Sequence, residues 1–270
     1  MNEGMMMQAT LVALYGDKPD DLHAFLSDSQ DRVAELLGPR FRKYDIAQIH
    51  GTIVGLERDE DEPQRLLNRN FRTRRDVRIQ MDLAGVVKFL RDGSYVPFQL
   101  QIGGFQDRDY PFVSRGARPY HRSFSIQERN VVVMGWPLRG LPVAGPPSSP
   151  AALNRESRLY PPTLDSIRRG AQAYGVLHSY HAKPEDTDND YFFRIGIVDD
   201  PNSVDPLLKT RVQETMRELM AAMPPLVVEV GLPDLYVVFY DSEELPLSST
   251  AAHALDNENL DQDFLRKGYT

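Results

Sequence analysis

What most constrains this chain is an alternation of short β-forming runs with longer amphipathic stretches, laid out in two similar halves. Gln8 to Tyr15 (QATLVALY) ends at Gly16, Asp17 and Pro19, the punctuation of a strand entering a turn. From Asp20, the residues Leu22, Phe25, Leu26, Val33, Leu36 and Leu37 recur near helical spacing until Gly38-Pro39 stops them. Ile46 to Leu56 reads as a second strand, and Asp82 caps a helix that carries Leu83, Val86, Val87 and Leu90 and closes at Gly93. Phe98 to Ile102 and Val131 to Trp136 read as strands flanking a long excursion, Gly103 to Asn130. The second half repeats the plan. A helix opens at Thr163 and ends at Gly175, Tyr191 to Val198 is a strand, and Asp205-Pro206 starts a long stripe from Leu207 to Met223. Met216, Met220 and Met223 in that stripe read as core packing, and Leu226 to Val230 and Leu235 to Tyr240 are closing strands. This order predicts an α+β fold with helices on the outer faces and two sheets, or lobes of one sheet, meeting at a cleft. Residues 1–247 form one two-lobed domain in this reading, with an exposed Pro-rich loop over about 138–162 and a polar C-terminal tail over 248–270.

Composition narrows the function classes. The absence of cysteine excludes disulfides, thiolate zinc sites, iron–sulfur clusters and a cysteine nucleophile, so any metal would need His, Asp or Glu. A net charge of −8 argues against a general duplex-binding protein, which needs a basic face to displace counterions from phosphates. No apolar run approaches a membrane span, and the amino terminus carries no basic n-region, which predicts a cytoplasmic protein that does not engage a membrane. No Walker loop, GxGxxG, GxSxG or HExxH is present.

The sharpest local signal is Ile49-His50-Gly51-Thr52-Ile53. On a strand, His50 and Thr52 share one face, which sets an imidazole beside a hydroxyl. That pairing suits phosphate chemistry, since the imidazole moves a proton near neutral pH and the hydroxyl holds a phosphoryl oxygen. An imidazole satisfied on a strand face is the plain alternative. With its order of elements from about Gln8 to Leu245, the chain resembles the 2H phosphoesterases, among them the RNA 2′,3′-cyclic phosphodiesterases and 2′-5′ RNA ligase-like proteins. The resemblance implies a two-lobed fold with antiparallel sheets lining a central cleft. It also implies metal-independent hydrolysis of a cyclic phosphate or other phosphodiester, no cofactor, and a nucleotide or RNA end as partner. His50 would be the proton carrier and Thr52 a phosphate ligand.

The second motif of that family departs here. Its place falls on Phe193-Arg194-Ile195-Gly196-Ile197, with Arg194 where a histidine and Gly196 where a hydroxyl would stand. Arginine moves no proton at neutral pH but binds phosphate through its fork of donors. His121, in a His-x-Ser pattern, and His178 and His181, before an acidic loop, are the candidates for a second proton carrier, each equally readable as a surface histidine. Arg65, Arg69, Arg72, Arg74, Arg75 and Arg78 form the most basic stretch, and Arg72, Arg74 and Arg75 are candidate phosphate ligands if they are not a solvated face. Phe71, Tyr110, Phe112 and Tyr120 could stack bases or cover a core edge. Asp186, Asp188, Asn189 and Asp190 lack the glycine turn and distal Glu of a calcium loop and read as a turn. If the second proton carrier is missing, the same fold would serve as a binding module for a nucleotide or cyclic oligonucleotide without chemistry. The sequence singles out no protein partner.

Overall fold

The computed structural model describes residues 6–62, 64–140 and 158–269 and shows an α+β chain built on two antiparallel sheets. The first, four-stranded sheet has the order β10 (Ala251–Ala254), β9 (Leu235–Tyr240), β1 (Gln8–Ala13) and β3 (Gly51–Gly55). The second has the order β2 (Phe41–Lys43), β7 (Tyr191–Val198), β6 (Asn130–Leu138), β4 (Phe98–Ile102) and β8 (Leu226–Val230), with β5 (Phe124–Gln127) forming a hairpin on β6. Sheet membership does not follow the two halves of the sequence. The first and last strands of the chain share one sheet because β1, wholly buried, takes β9 on one edge and β3 on the other.

The helices cover the sheets as their apolar stripes dictate. α1 (Asp20–Leu37) buries Leu22, Phe25, Leu26, Val33 and Leu37 and stops at Gly38, whose φ of +60° disfavours a side chain. Gln30 is the polar member of this stripe, and its amide donates to the carbonyls of Tyr44 and Ile195, fastening the helix to β7 and to the turn after β2. Short α2 (Arg69–Arg75) follows β3, and α3 (Leu83–Asp92) carries the cap at Asp82 that the sequence predicts. α4 (Pro119–Ser123) lies in the excursion, and α5 (Thr163–Gly170) packs against β3. α6 (Pro206–Ala222) starts at the Asp205 cap and lies beside α1, burying Val212, Met216 and Met220 while Leu207 and Leu219 stay exposed. Met223 packs against the core at its edge.

Three expectations are corrected. The strand over Ile46 to Leu56 begins only at Gly51, because the Asp45 carboxylate caps a 3₁₀ turn at Ile46–Gln48. The tail after Leu247 is not a polar appendage: β10 completes the first sheet, α7 (Gln262–Lys267) follows it, and Leu255, Leu260, Leu265 and Tyr269 are buried. Tyr110 and Phe112 cover a second, small core made by Phe105, Trp136 and Tyr160, and Phe71 is buried, so these rings close core edges and are not free to stack bases. Most of the Pro-rich loop, residues 141–157, lies outside the described residues. No helix of the described residues is long and apolar enough to cross a membrane.

Candidate functional site

A cleft of about 300 Å³ opens between the two sheets. The first sheet and the segments that flank its strands contribute Thr10, His50, Thr52, Gly55, Glu57, Tyr240 and Glu243. The second contributes Asn130, Val132, Phe192 and Arg194, and the loop before β7 adds His178 and Tyr180. His50 and Thr52 face it together, as strand alternation requires, while Ile49, Gly51 and Ile53 are buried behind them.

His50 is half-buried, and its Nδ1 lies 2.8 Å from the carbonyl oxygen of Gln48. A carbonyl only accepts, so Nδ1 carries the proton and Nε2 is left as a bare acceptor. Burial lowers the pKa to about 4, the Gln48 carbonyl opposes the shift, and the charges of Arg194 and Lys18 add to it. The imidazole is therefore neutral at pH 7. Across the cleft Arg194 stands on β7 and donates through a guanidinium N–H to the carbonyl of Glu243 at 3.2 Å, which anchors one arm of its fork. Position 196 has no room for a hydroxyl-bearing side chain, because a Cβ there would fall 2.4 Å from the carbonyl oxygen of Arg42 and 2.5 Å from the ring of Phe41. The glycine follows from the pairing of β2 with β7.

Of the three histidines considered beside His50, only His178 reaches the cleft. It is buried, and its Nε2 donates to Asp188 at 2.9 Å, leaving Nδ1 buried without a partner among the described residues. Burial and the neighbouring Arg168 charge lower its pKa to about 3 against the pull of Asp188. His181 is fully buried behind the cleft on Asp165, and burial lowers its pKa too. His121 is exposed on α4 and faces Asp107 at 3.7 Å, outside the cleft, so neither takes the role of second proton carrier there.

The arginine cluster is corrected in the same way. Arg69 alone of that stretch lines the cleft. Arg72 pairs with Asp59, Asp61 and Asp76, Arg75 donates to Gln172 and to the carbonyls of His181 and Ala182, and Arg74 is exposed. These three are not placed to hold a phosphate between the sheets.

Arg168 is one residue that the sequence does not reveal. Fully buried on α5, it donates to the carbonyls of Thr52 and Ile53 on β3 and to the carbonyls of Asp188 and Asp190 and the carboxylate of Asp188, all at 2.9–3.0 Å. One guanidinium thus locks the strand of Thr52 to the loop of His178. The acidic loop is its counterpart. Burial pushes the Asp188 pKa up, yet His178 and Arg168 prevail and hold it at about 2, while Asp190 accepts from Trp136 and Ser114. An arginine on an amphipathic helix ordinarily reads as solvated, so no local signal marks it.

At the far end of the cleft, Glu57 accepts a hydrogen bond from the Tyr240 hydroxyl at 3.2 Å. Burial raises its pKa and the Arg69 charge draws it back. Among the described residues no group of three or more His, Asp or Glu side chains is placed to hold a metal.

No family model and no curated protein matches the chain. Among solved structures it is similar to the crystal structure of TT0787 of Thermus thermophilus, at 11% identity and a TM-score of 0.32 over 92% of this chain and 95% of that one, a likeness too slight to bear on function.

Proposed function

We propose that the cleft binds the phosphate of a nucleotide or RNA end and acts on it as a diverged 2H-type phosphoesterase. The observation that carries this reading is the meeting of His50, Thr52 and Arg194 on one cleft between the sheets. Arg194 supplies fixed positive charge and donors for the phosphoryl oxygens, and the Thr52 hydroxyl supplies another donor. For a 2′,3′-cyclic phosphate, His50 Nε2 takes the proton of an attacking water as the water oxygen bonds to phosphorus. The bond from phosphorus to one ribose oxygen breaks, and that oxygen takes a proton, leaving a phosphomonoester. That proton comes from water, because Nδ1 of His178 is buried and its Nε2 is held by Asp188. A bound phosphate raises the pKa of His50 towards the range where it exchanges protons.

One observation favours a second reading, a nucleotide-binding module of the same fold without turnover: both imidazoles are held neutral in the free protein, at about 4 and about 3. Incubation with 2′,3′-cyclic nucleotides in EDTA separates the two. Ring opening that falls by about 10²–10⁴ in His50→Ala supports the enzyme. Binding without turnover, weakened in Arg194→Ala, supports the module. The absence of both turnover and binding would refute the site.

A further inference from the structure

The Glu57 end of the cleft is built separately from the phosphate end. Thr10 of β1 pairs with Gly55 and Val12 pairs with Thr52, so the two ends lie two residues of β1 apart, about 7 Å along the sheet. Glu57 does not extend away from this sheet. Its side chain folds back over Gly55, where a Cβ would fall 2.2 Å from Oε2, so only glycine at 55 leaves the carboxylate that seat. The Tyr240 hydroxyl fixes Oε1 from β9. The backbone N–H of Arg69 donates to the Glu57 carbonyl at 2.9 Å, which brings the first residue of α2, and with it a guanidinium, to the same end of the cleft. The result is an acceptor pair beside a donor fork, held about one nucleoside away from Thr52.

That pattern complements one base. Guanine offers two adjacent donors, N1–H and the 2-amino group, to a carboxylate, and its O6 accepts from a guanidinium. Adenine turns an acceptor to the carboxylate at N1, and uracil flanks its single N–H with two carbonyls. We propose that Glu57 and Arg69 form a guanine-reading subsite, so that the cleft selects guanosine phosphates. This rests on the reading of the cleft as a nucleotide site.

The test is titration of the full chain with the 3′-monophosphates of guanosine, inosine, adenosine and uridine, and with ribose 5-phosphate. The guanosine ligand is expected to bind at least about tenfold more tightly than the adenosine one, with inosine, which lacks the 2-amino group, between them. Glu57→Gln keeps the size of the side chain and an acceptor for Tyr240, and should bring the guanosine-to-adenosine ratio close to one. The inosine comparison needs no variant. Equal affinities for all the nucleotides, each weakened in Arg194→Ala, would overturn the subsite and leave the phosphate reading standing. Binding of no nucleotide and no ribose phosphate would overturn both.

Discussion

The ring of Tyr191 lies against the bare Cα of Gly51, where a Cβ would fall 2.1 Å from its Cε1 and Cζ. Its hydroxyl donates to the Ala13 carbonyl at 3.0 Å, so a residue of β7 in the second sheet is fastened across β3 to β1 in the first. The glycine between His50 and Thr52 is thus what lets the two walls of the cleft come together. Gly51→Ala should cost about 1–3 kcal/mol by overpacking, read as a lower urea midpoint at unchanged slope. An unshifted midpoint would show that the ring gives way freely.

Arg168 makes a larger demand. Replacing it with Met leaves the Asp188 carboxylate buried without its main cation and should destabilise the protein by about 3–5 kcal/mol. Because both residues belong to one network, Arg168→Met with Asp188→Asn should cost less than the sum of the single changes, and strict additivity in denaturant melts would contradict the coupling.

The two imidazoles of the cleft set an acid limit. In the fold His50 and His178 hold pKa values of about 4 and about 3, against 6.5 in the unfolded chain. Between those values the unfolded chain binds protons that the folded one refuses, so stability is full above pH 6.5, falls on acidification and levels off once the folded imidazoles protonate. His178 alone accounts for a slope of about 1.4 kcal/mol per pH unit in that window. Asp188 adds a further loss lower down, as the pH falls from 3.8 towards about 2. A urea midpoint that stays constant from pH 7 to pH 5, in wild type and His178→Gln alike, is the outcome that this account does not permit.

The arginines after β3 should separate cleanly. Arg74→Ala changes stability by no more than about 0.5 kcal/mol, as befits an exposed side chain. Arg75→Ala removes hydrogen bonds to Gln172, His181 and Ala182 and should lower the melting temperature measurably. Neither should alter affinity for a nucleotide phosphate in calorimetry, whereas Arg69→Ala and Arg194→Ala should.

How far the site was legible depended on whether the signal was local. His50 and Thr52 are two residues apart at the entry to one strand, so alternation of the extended chain places them together, and Asp82 and Asp205 announce their helices by cap chemistry that spans three residues. Arg194 was found through the order of elements. Arg168, Glu57 and Tyr191 were not visible because their importance lies in partners far along the chain: β3 for Arg168, Tyr240 for Glu57, Ala13 for Tyr191. The tail misled for a related reason. Its Leu255, Leu260 and Leu265 are too few and too widely spaced to declare a stripe, and they become core only because β9 offers an edge to β10. His121 shows the converse, a motif match with no site around it.

The place of β1 between β9 and β3 also governs when the cleft can exist. The strand made first in synthesis cannot finish its pairing until residues 235–240 have emerged, and the Tyr15 hydroxyl meets the Leu245 carbonyl across 230 positions. At the pace of a ribosome the amino-terminal strand waits for many seconds with its outer edge open, exposed to other chains and to chaperones. The second sheet has its strands from Phe41 to Val230 and can form earlier. A ribosome-bound intermediate stalled before β9 would therefore carry His50, Thr52 and Arg194 but lack Tyr240 and the Glu243 carbonyl that anchors Arg194, and the cleft would be complete only after release.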